Sequence, residues 1–561
     1  MKIRFCGASS GVTGSCHLLM TGEHQILLDC GQFQGGKAQE AMNWGPFPFE
    51  AAEVECVILS HAHIDRCGRL PLLVKRGFNG PIYCTEATAD LLEVMLMDSA
   101  YIHEKEAEWK NRKNLRAGKP PVEPLYVEED AKETLKLVKP VLYDQLVELN
   151  DDVRFCFNDA GHILGSAITE IWVREEDRET KIVFTGDLGM TDRPILRDPT
   201  IIKKADVVIM ESTYGSRNHT ENAADIRRLI EIILNTTRRG GNVVIPSFAV
   251  GRTQELIYQL NRFCSEDSAF SKEMRRIPVY VDSPMATTAT EVFRANAQCF
   301  DDETRDFILK GDDPLDFEGL HFTRSTQESQ QLNFDPSPKV ILSASGMCEA
   351  GRIRHHLKHN LWNEKSSIVF VGYQAQGTLG RSLVEGVKDV TLFGEEIHVN
   401  AEIYNLQGFS GHADQNGLFS WLAAFQKRPA QIFLVHGEEE AKETFGKLIH
   451  DKLGYDPVIV RGNSEFELTS SCAELLEQEA AEQAGAAQED IQRVRNQVAK
   501  IHEELEHVMY NANLAVGSQI SEEKLNRINN MVQELDRAAI SLGAAVGSMD
   551  RPREVKEGEN A

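Results

Sequence analysis

The sequence predicts an α/β fold built from more than one domain. Three observations point to it. Short apolar runs recur up to about residue 465, and most end in a turn of Gly, Ser, His or Asp. From about residue 222 these runs alternate with helical stretches in the order strand, polar loop, helix, which is the pattern of a parallel sheet with loops along one edge. A chain of 561 residues with 42% hydrophobic content supports two or three cores.

Lys2 to Phe5, Cys16 to Met20 and Gln25 to Leu28 read as strands, separated by the small-residue loop Gly7 to Gly14. The third strand ends at Asp29. A carboxylate there suits an orienting role, bonded to a ligand imidazole. Val54 to Leu59 is a buried strand. It is followed by Ser60-His61-Ala62-His63-Ile64-Asp65-Arg66-Cys67-Gly68 and a helix starting at Leu70. His61 and His63 are two apart in extended backbone, so both rings can face one way. Asp65 can reach the other side of the same cavity. A lone His-x-His is as often a solvated loop. Two imidazoles with a carboxylate make a hydrolytic metal site, with zinc the expected ion.

Ala87 to Glu104 predicts an amphipathic helix, and residues 105–124 are basic and polar, with Lys119-Pro120-Pro121 breaking any helix there. Lys110, Arg112, Lys113, Arg116 and Lys119 form the densest basic run of the chain. It reads as a solvated arm or as an arm facing phosphates. His162 lies in a Gly-flanked turn between two strands and suits a third imidazole ligand. Asp187, bracketed by glycines after the strand 181–185, suits a carboxylate shared between two metals. Glu211 ends the strand 205–210.

Beyond residue 222, loops at 247–253, 282–284, 343–347 and 372–374 follow successive strands, and backbone N–H groups and arginines there suit anions. His412 sits in Gly-His-Ala-Asp, and His436 ends the strand 431–435. From Ser470 the composition turns to Ala, Glu and Gln. Helices are expected over 489–511 and 521–542. Val494, Val498, Ile501, Leu505 and Val508 form a packing stripe for self-association.

The formal charge of −26 means that a nucleic-acid partner must be met by a local basic cleft and not by the overall field. Eleven cysteines with no C-x-x-C pair fit reduced thiols in a cytoplasmic protein. No signal peptide is visible, and no apolar run spans a bilayer.

His61-x-His63-x-Asp65, then His162, Asp187 and His436, resemble the metallo-β-lactamase superfamily. Glu211, His412, Gly346-Met347, Gly351-Arg352 and Gly372 to Leu379 narrow the resemblance to its β-CASP nucleic-acid-processing group, nearest the bacterial and archaeal relatives of the mRNA 3′-end endonuclease. The resemblance covers about residues 1 to 465. It implies a metallo-β-lactamase αβ/βα sandwich (1–207 and 397–468), an inserted Rossmann-like β-CASP domain (208–396), and an acidic helical tail (469–561) outside the match. It implies a zinc-dependent ribonuclease with RNA in the cleft between the domains. His61, His63 and His162 would hold one zinc and Asp65 and His436 a second, with Asp187 bridging. His412 would contact the scissile phosphate and Glu211 would support it. Arg252, Gly346, Arg352 and Gln374 would meet the RNA. A homodimer or other homo-oligomer through the tail is expected.

One position departs from the family pattern. His-x-His-x-Asp-His ends here in Arg66, and a guanidinium stays protonated and ligates no metal. Three readings follow: one metal, two with the second bound weakly, or a non-cleaving RNA-binding relative that partners an active homologue. Arg66 is expected to repel a second ion and to pair with Asp65. A small-molecule hydrolase on the same scaffold is a further reading, but such a substrate needs no second α/β domain over the site.

Overall fold

The computed structural model describes residues 1–469, apart from 23, 177, 220 and 221, together with residue 501. The expected tail helices and their stripe lie outside the described residues. The described residues within 1–305 and 313–469 form one compact unit, to which everything below refers.

Two seven-stranded sheets make the first half of the architecture. The first runs in the order Ser464–Glu467, Lys2–Phe5, His17–Thr21, His24–Leu28, Cys56–Ile58, Ile82–Thr85, Val138–Val141. The second runs Val458–Ile459, Gln431–Val435, Val207–Glu211, Arg178–Phe184, Ala167–Glu175, Val153–Asp159, Leu146–Glu148. Alternation along the strands decides the layers. Leu19, Ile26, Leu28 and Ile58 of the first sheet meet Phe155, Ile171, Ile182 and Phe433 of the second in one shared core. The intervening residues Leu18, Leu27 and Val57 face the other way, onto Leu70, Leu73, Leu92 and Leu96 of two helices. Val183, Val208 and Leu434 face outward on the second sheet, onto Leu418, Trp421 and Phe445. The result is the four-layer αβ/βα sandwich that the resemblance implies.

The inserted domain has a six-stranded sheet in the order Leu320–Phe322, Val279–Val281, Val340–Ser343, Val243–Pro246, Ser367–Phe370, Glu402–Asn405. Every pairing in it is parallel. Two expected boundaries shift as a result. Val207–Glu211 pairs in parallel with the strands 178–184 and 431–435, so it belongs to the sandwich and not to the insert. Glu402–Asn405 pairs with Ser367–Phe370, so the insert runs past residue 396.

The helix after Thr85 is longer than expected, Glu86–Arg116. Thr85 caps it by accepting from the Thr88 N–H at 3.2 Å. Ion pairs Lys110–Glu106 and Arg112–Glu108, each four apart and at 3.4 Å, line its outer turns. It stops at Gly118, which has φ +63°, just before Pro120 and Pro121.

Candidate metal centre

All the candidate ligands sit at strand ends on one edge of the sandwich. His61 and His63 follow Cys56–Ile58, His162 connects Val153–Asp159 to Ala167–Glu175, Asp187 follows Arg178–Phe184, and His436 follows Gln431–Val435. The turns approach closely enough to need glycine. A Cβ on Gly189 would lie 1.9 Å from the Gly161 carbonyl oxygen, and one on Gly186, at φ +56°, would lie 2.8 Å from the Ser60 Cβ.

Four ligand atoms converge. His61 Nε2 lies 3.1 Å from His63 Nδ1, and His162 Nε2 lies 3.3 Å from the same atom. Asp187 Oδ2 is 3.3 Å from His61 Nε2 and 3.7 Å from His162 Nε2. All four lie within 4.8 Å of one another. Burial holds His63 and His162 well below the usual imidazole range, so both are neutral, the form that ligates. Burial opposes the Asp187 charge, but Arg66, His436 and His61 outweigh it and keep this carboxyl well below its usual range. Three imidazoles and a carboxylate aimed at one point fit a single divalent ion, and tetrahedral nitrogen–oxygen sites suit zinc.

The second position does not fit a metal in the same way. Asp65 Oδ2 lies 3.7 Å from His436 Nε2, which is 3.5 Å from Asp187 Oδ1. That same Oδ1 accepts a hydrogen bond from Arg66 Nη2. Arg66 is fully buried. Its Nη1 donates to Ser15 Oγ at 2.9 Å and to Asp29 Oδ2 at 3.0 Å. Burial disfavours the guanidinium charge, but Asp187 and Asp29 more than offset this and hold it protonated. Two expectations are corrected here. Arg66 bonds Asp29 and Asp187 instead of Asp65. Among the described residues Asp29 bonds no imidazole, because the guanidinium, Ser15 Oγ and the Ser60 N–H and Oγ take its oxygens. Burial raises the Asp65 carboxyl to about 6, helped by the Asp187 charge.

His412 stands beside the centre, its ring 4.3 Å from that of His162. Its Nδ1 lies 3.2 and 3.3 Å from the two Glu211 oxygens. Burial opposes protonation, but Glu211 outweighs it and raises the His412 pKa. The Leu188 N–H also donates to Glu211 at 2.6 Å, and the Ala413 N–H to the Leu188 carbonyl at 2.7 Å. Strand end and loop are therefore locked together.

Family comparisons cover both halves of the chain. A metallo-beta-lactamase superfamily domain matches residues 18–212, a Beta-Casp domain residues 253–383, and a Zn-dependent metallo-hydrolase RNA specificity domain residues 396–460. A ribonuclease of Thermus thermophilus is 39% identical over 449 residues, which is 80% of this chain and 96% of that protein. The chain belongs to the β-CASP group of the metallo-β-lactamase superfamily. The transcription termination factor FttA is 34% identical in Methanosarcina mazei and 33% in Pyrococcus horikoshii, in both cases over 81% of this chain and 69% of that protein.

In this β-CASP protein the expected RNA-contact residues are engaged within the fold. Arg252 donates to Glu255 and to the Phe409 carbonyl, which ties the helix Arg252–Ser265 to the loop that carries His412. Arg352 donates to Asp282 Oδ1 at 2.7 Å and to the Arg324 carbonyl at 2.9 Å. Gln374 is buried and donates to the Gly346 and Gly372 carbonyls at 3.0 and 3.2 Å. Gly346 faces the Phe248 ring, which a Cβ would meet at 2.8 Å.

Other residues, to which the sequence assigned no role, line the approach. Tyr214, Arg217, Tyr373, Arg381 and Ser410 border one open pocket. Arg217 lies 4.8 Å over the Tyr214 ring, which is 6.0 Å from that of His412. His219 bonds the His412 carbonyl through Nε2 at 3.1 Å. Tyr214, Tyr373 and Ser410 lie a few residues beyond a strand end, while Arg217, His219 and Arg381 carried no such signal.

Proposed function

We propose that the chain is a zinc-dependent ribonuclease that cuts RNA phosphodiester bonds, endonucleolytically, beside the Glu211–His412 pair. The observation that carries this reading is the convergence of His61, His63, His162 and Asp187 next to an imidazole whose Nδ1 is held by a carboxylate. The ribonuclease and termination-factor relatives support RNA as the substrate. A zinc ion held by those four residues would polarise the phosphate and acidify the attacking water. Glu211 orients His412 through Nδ1, so its Nε2 is free to deliver a proton to the departing oxygen. Asp187 keeps its charge toward the ion because Arg66 and His436 hold it ionised.

Arg66 favours a second reading, a non-cleaving RNA-binding protein that partners an active homologue. On the first reading cleavage persists but is slow, with one metal per chain. Circular RNA incubated with purified protein and zinc separates these outcomes. Linear products support the endonuclease, intact circles with cleaved linear RNA point to an exonuclease, and bound but uncut RNA supports the second reading.

The ten described cysteines are thiols buried in the fold, which fits a reducing, cytoplasmic setting. Among the described residues no helix is long and apolar enough to cross a membrane. Self-association through the tail is part of the proposal. Truncation after Ser470 should lower the mass seen by light scattering, and an unchanged mass counts against it.

A further inference from the structure

We propose that the outer half of the helix Glu86–Arg116 is a second RNA-contact surface that engages single-stranded RNA outside the cleft. This rests on the ribonuclease reading above. Tyr101, Lys105, Trp109 and Lys113 follow at four-residue spacing and share one helix face. Both aromatic rings are exposed, Tyr101 at 51% and Trp109 at 55%. Each has a cation over it, Lys105 Nζ at 5.6 Å and Lys113 Nζ at 3.6 Å. An exposed aromatic ring on an ordered helix offers a stacking platform for a base.

The charge suits the same ligand. Within a chain of net charge −26, residues 109–119 hold Lys110, Arg112, Lys113, Arg116 and Lys119 and no acidic residue. Glu106 and Glu108, one turn back on the same helix, are paired with Lys110, Lys105 and Arg112. Alternating rings and cations is the arrangement that binds single strands without reading sequence. The surface is also ordered. Asn111 bonds both the N–H and the carbonyl of Val122, at 2.7 and 2.9 Å, and Asn114 bonds the Pro120 carbonyl at 2.9 Å. The returning chain is thus fastened against the helix.

Its position links it to the centre. His103 Nε2, one turn inward of Ala107, lies 3.3 Å from Gln32 Oε1, and the Gln32 N–H bonds the Ile64 carbonyl at 2.9 Å in the metal-site turn. From His103 to Arg116 the helix extends about 20 Å at 1.5 Å per residue. RNA seated at the centre and running outward along this helix would meet the platform only if it were long enough.

The test uses the full chain carrying His412→Ala, so that RNA stays intact, and measures fluorescence anisotropy with RNAs of about 6 and about 24 nucleotides. Trp109→Ala and Lys113→Glu should each weaken binding of the long RNA about tenfold, and Lys113→Glu should also flatten its salt dependence, with the short RNA, metal content and melting temperature unchanged. Long-RNA affinity equal to that of the parent, or an equal loss for both lengths, overturns the second surface while leaving the ribonuclease reading intact. A parent chain that binds neither RNA overturns both.

Discussion

Arg66 donates a hydrogen bond to Asp187, the carboxylate whose other oxygen faces His61 and His162. One guanidinium thereby takes the oxygen that a second metal would share, and it brings a positive charge to the same place. Ser15 and Asp29 hold it from behind, so it cannot swing away without leaving a buried charge unpaired.

Metal content should follow from that contact. The unaltered chain is expected to hold about one ion, and Arg66→His, which frees Asp187 Oδ1 beside Asp65 and His436, about two. Cleavage should rise on the order of 10- to 100-fold with the second ion. Elemental analysis of both proteins checks this. Two tightly held ions in the unaltered chain would show that Arg66 does not close the position.

His412→Ala and Glu211→Gln should slow cleavage roughly 10²- to 10⁴-fold for the first and less for the second, as expected for a proton donor and its support. Metal content should stay the same, because neither residue is among the four convergent ligands. A parallel loss of metal would place them in the metal site instead.

Arg252→Ala separates a fastening role from a phosphate contact. Removing it leaves Glu255 with Arg193, 3.3 Å away, as its partner, and unties the Phe409 carbonyl. Stability should fall by about 1–3 kcal/mol, measured by thermal unfolding, while the salt dependence of RNA affinity stays as it was. A changed salt slope with unchanged stability would restore the phosphate role.

Asp282 gives a pH signature in the inserted domain. It is fully buried and accepts from Arg352, His356 at 2.5 Å, Ser329 at 2.6 Å and Thr323. Burial alone would raise its pKa, but His356, Ser329 and Thr323 outweigh burial and hold it well below the carboxylate range. A depressed folded-state pKa stabilises above the unfolded value of about 4, and that stability is lost as pH falls toward the folded value. Asp282→Asn should cost on the order of 3 kcal/mol at neutral pH, and the gap in melting temperature should narrow below about pH 4. A gap independent of pH would mean that the charge contributes nothing.

Local pattern made much of the centre legible. His61 and His63 lie two apart after an apolar strand, and His162, Asp187 and His436 each close a strand, so the sheets gather them. What stayed hidden depends on partners distant in sequence. Nothing near Arg66 announces Asp187, more than a hundred residues on, and Arg252 and Arg352 looked available because Phe409 and Asp282 are brought to them only by the fold. The domain boundaries failed for the same reason. Val207–Glu211 and Glu402–Asn405 are ordinary apolar strands, and only pairing assigns each to its sheet. The length of the helix Glu86–Arg116 was obscured by its charge, which as spaced ion pairs supports helix.

The most direct test of the central claim is RNA cleavage by the unaltered chain before and after chelation, beside His162→Ala. Cutting should be slow, stop on chelation, return with added zinc, and be absent in His162→Ala. RNA that is bound yet stays whole under every metal condition would contradict that claim.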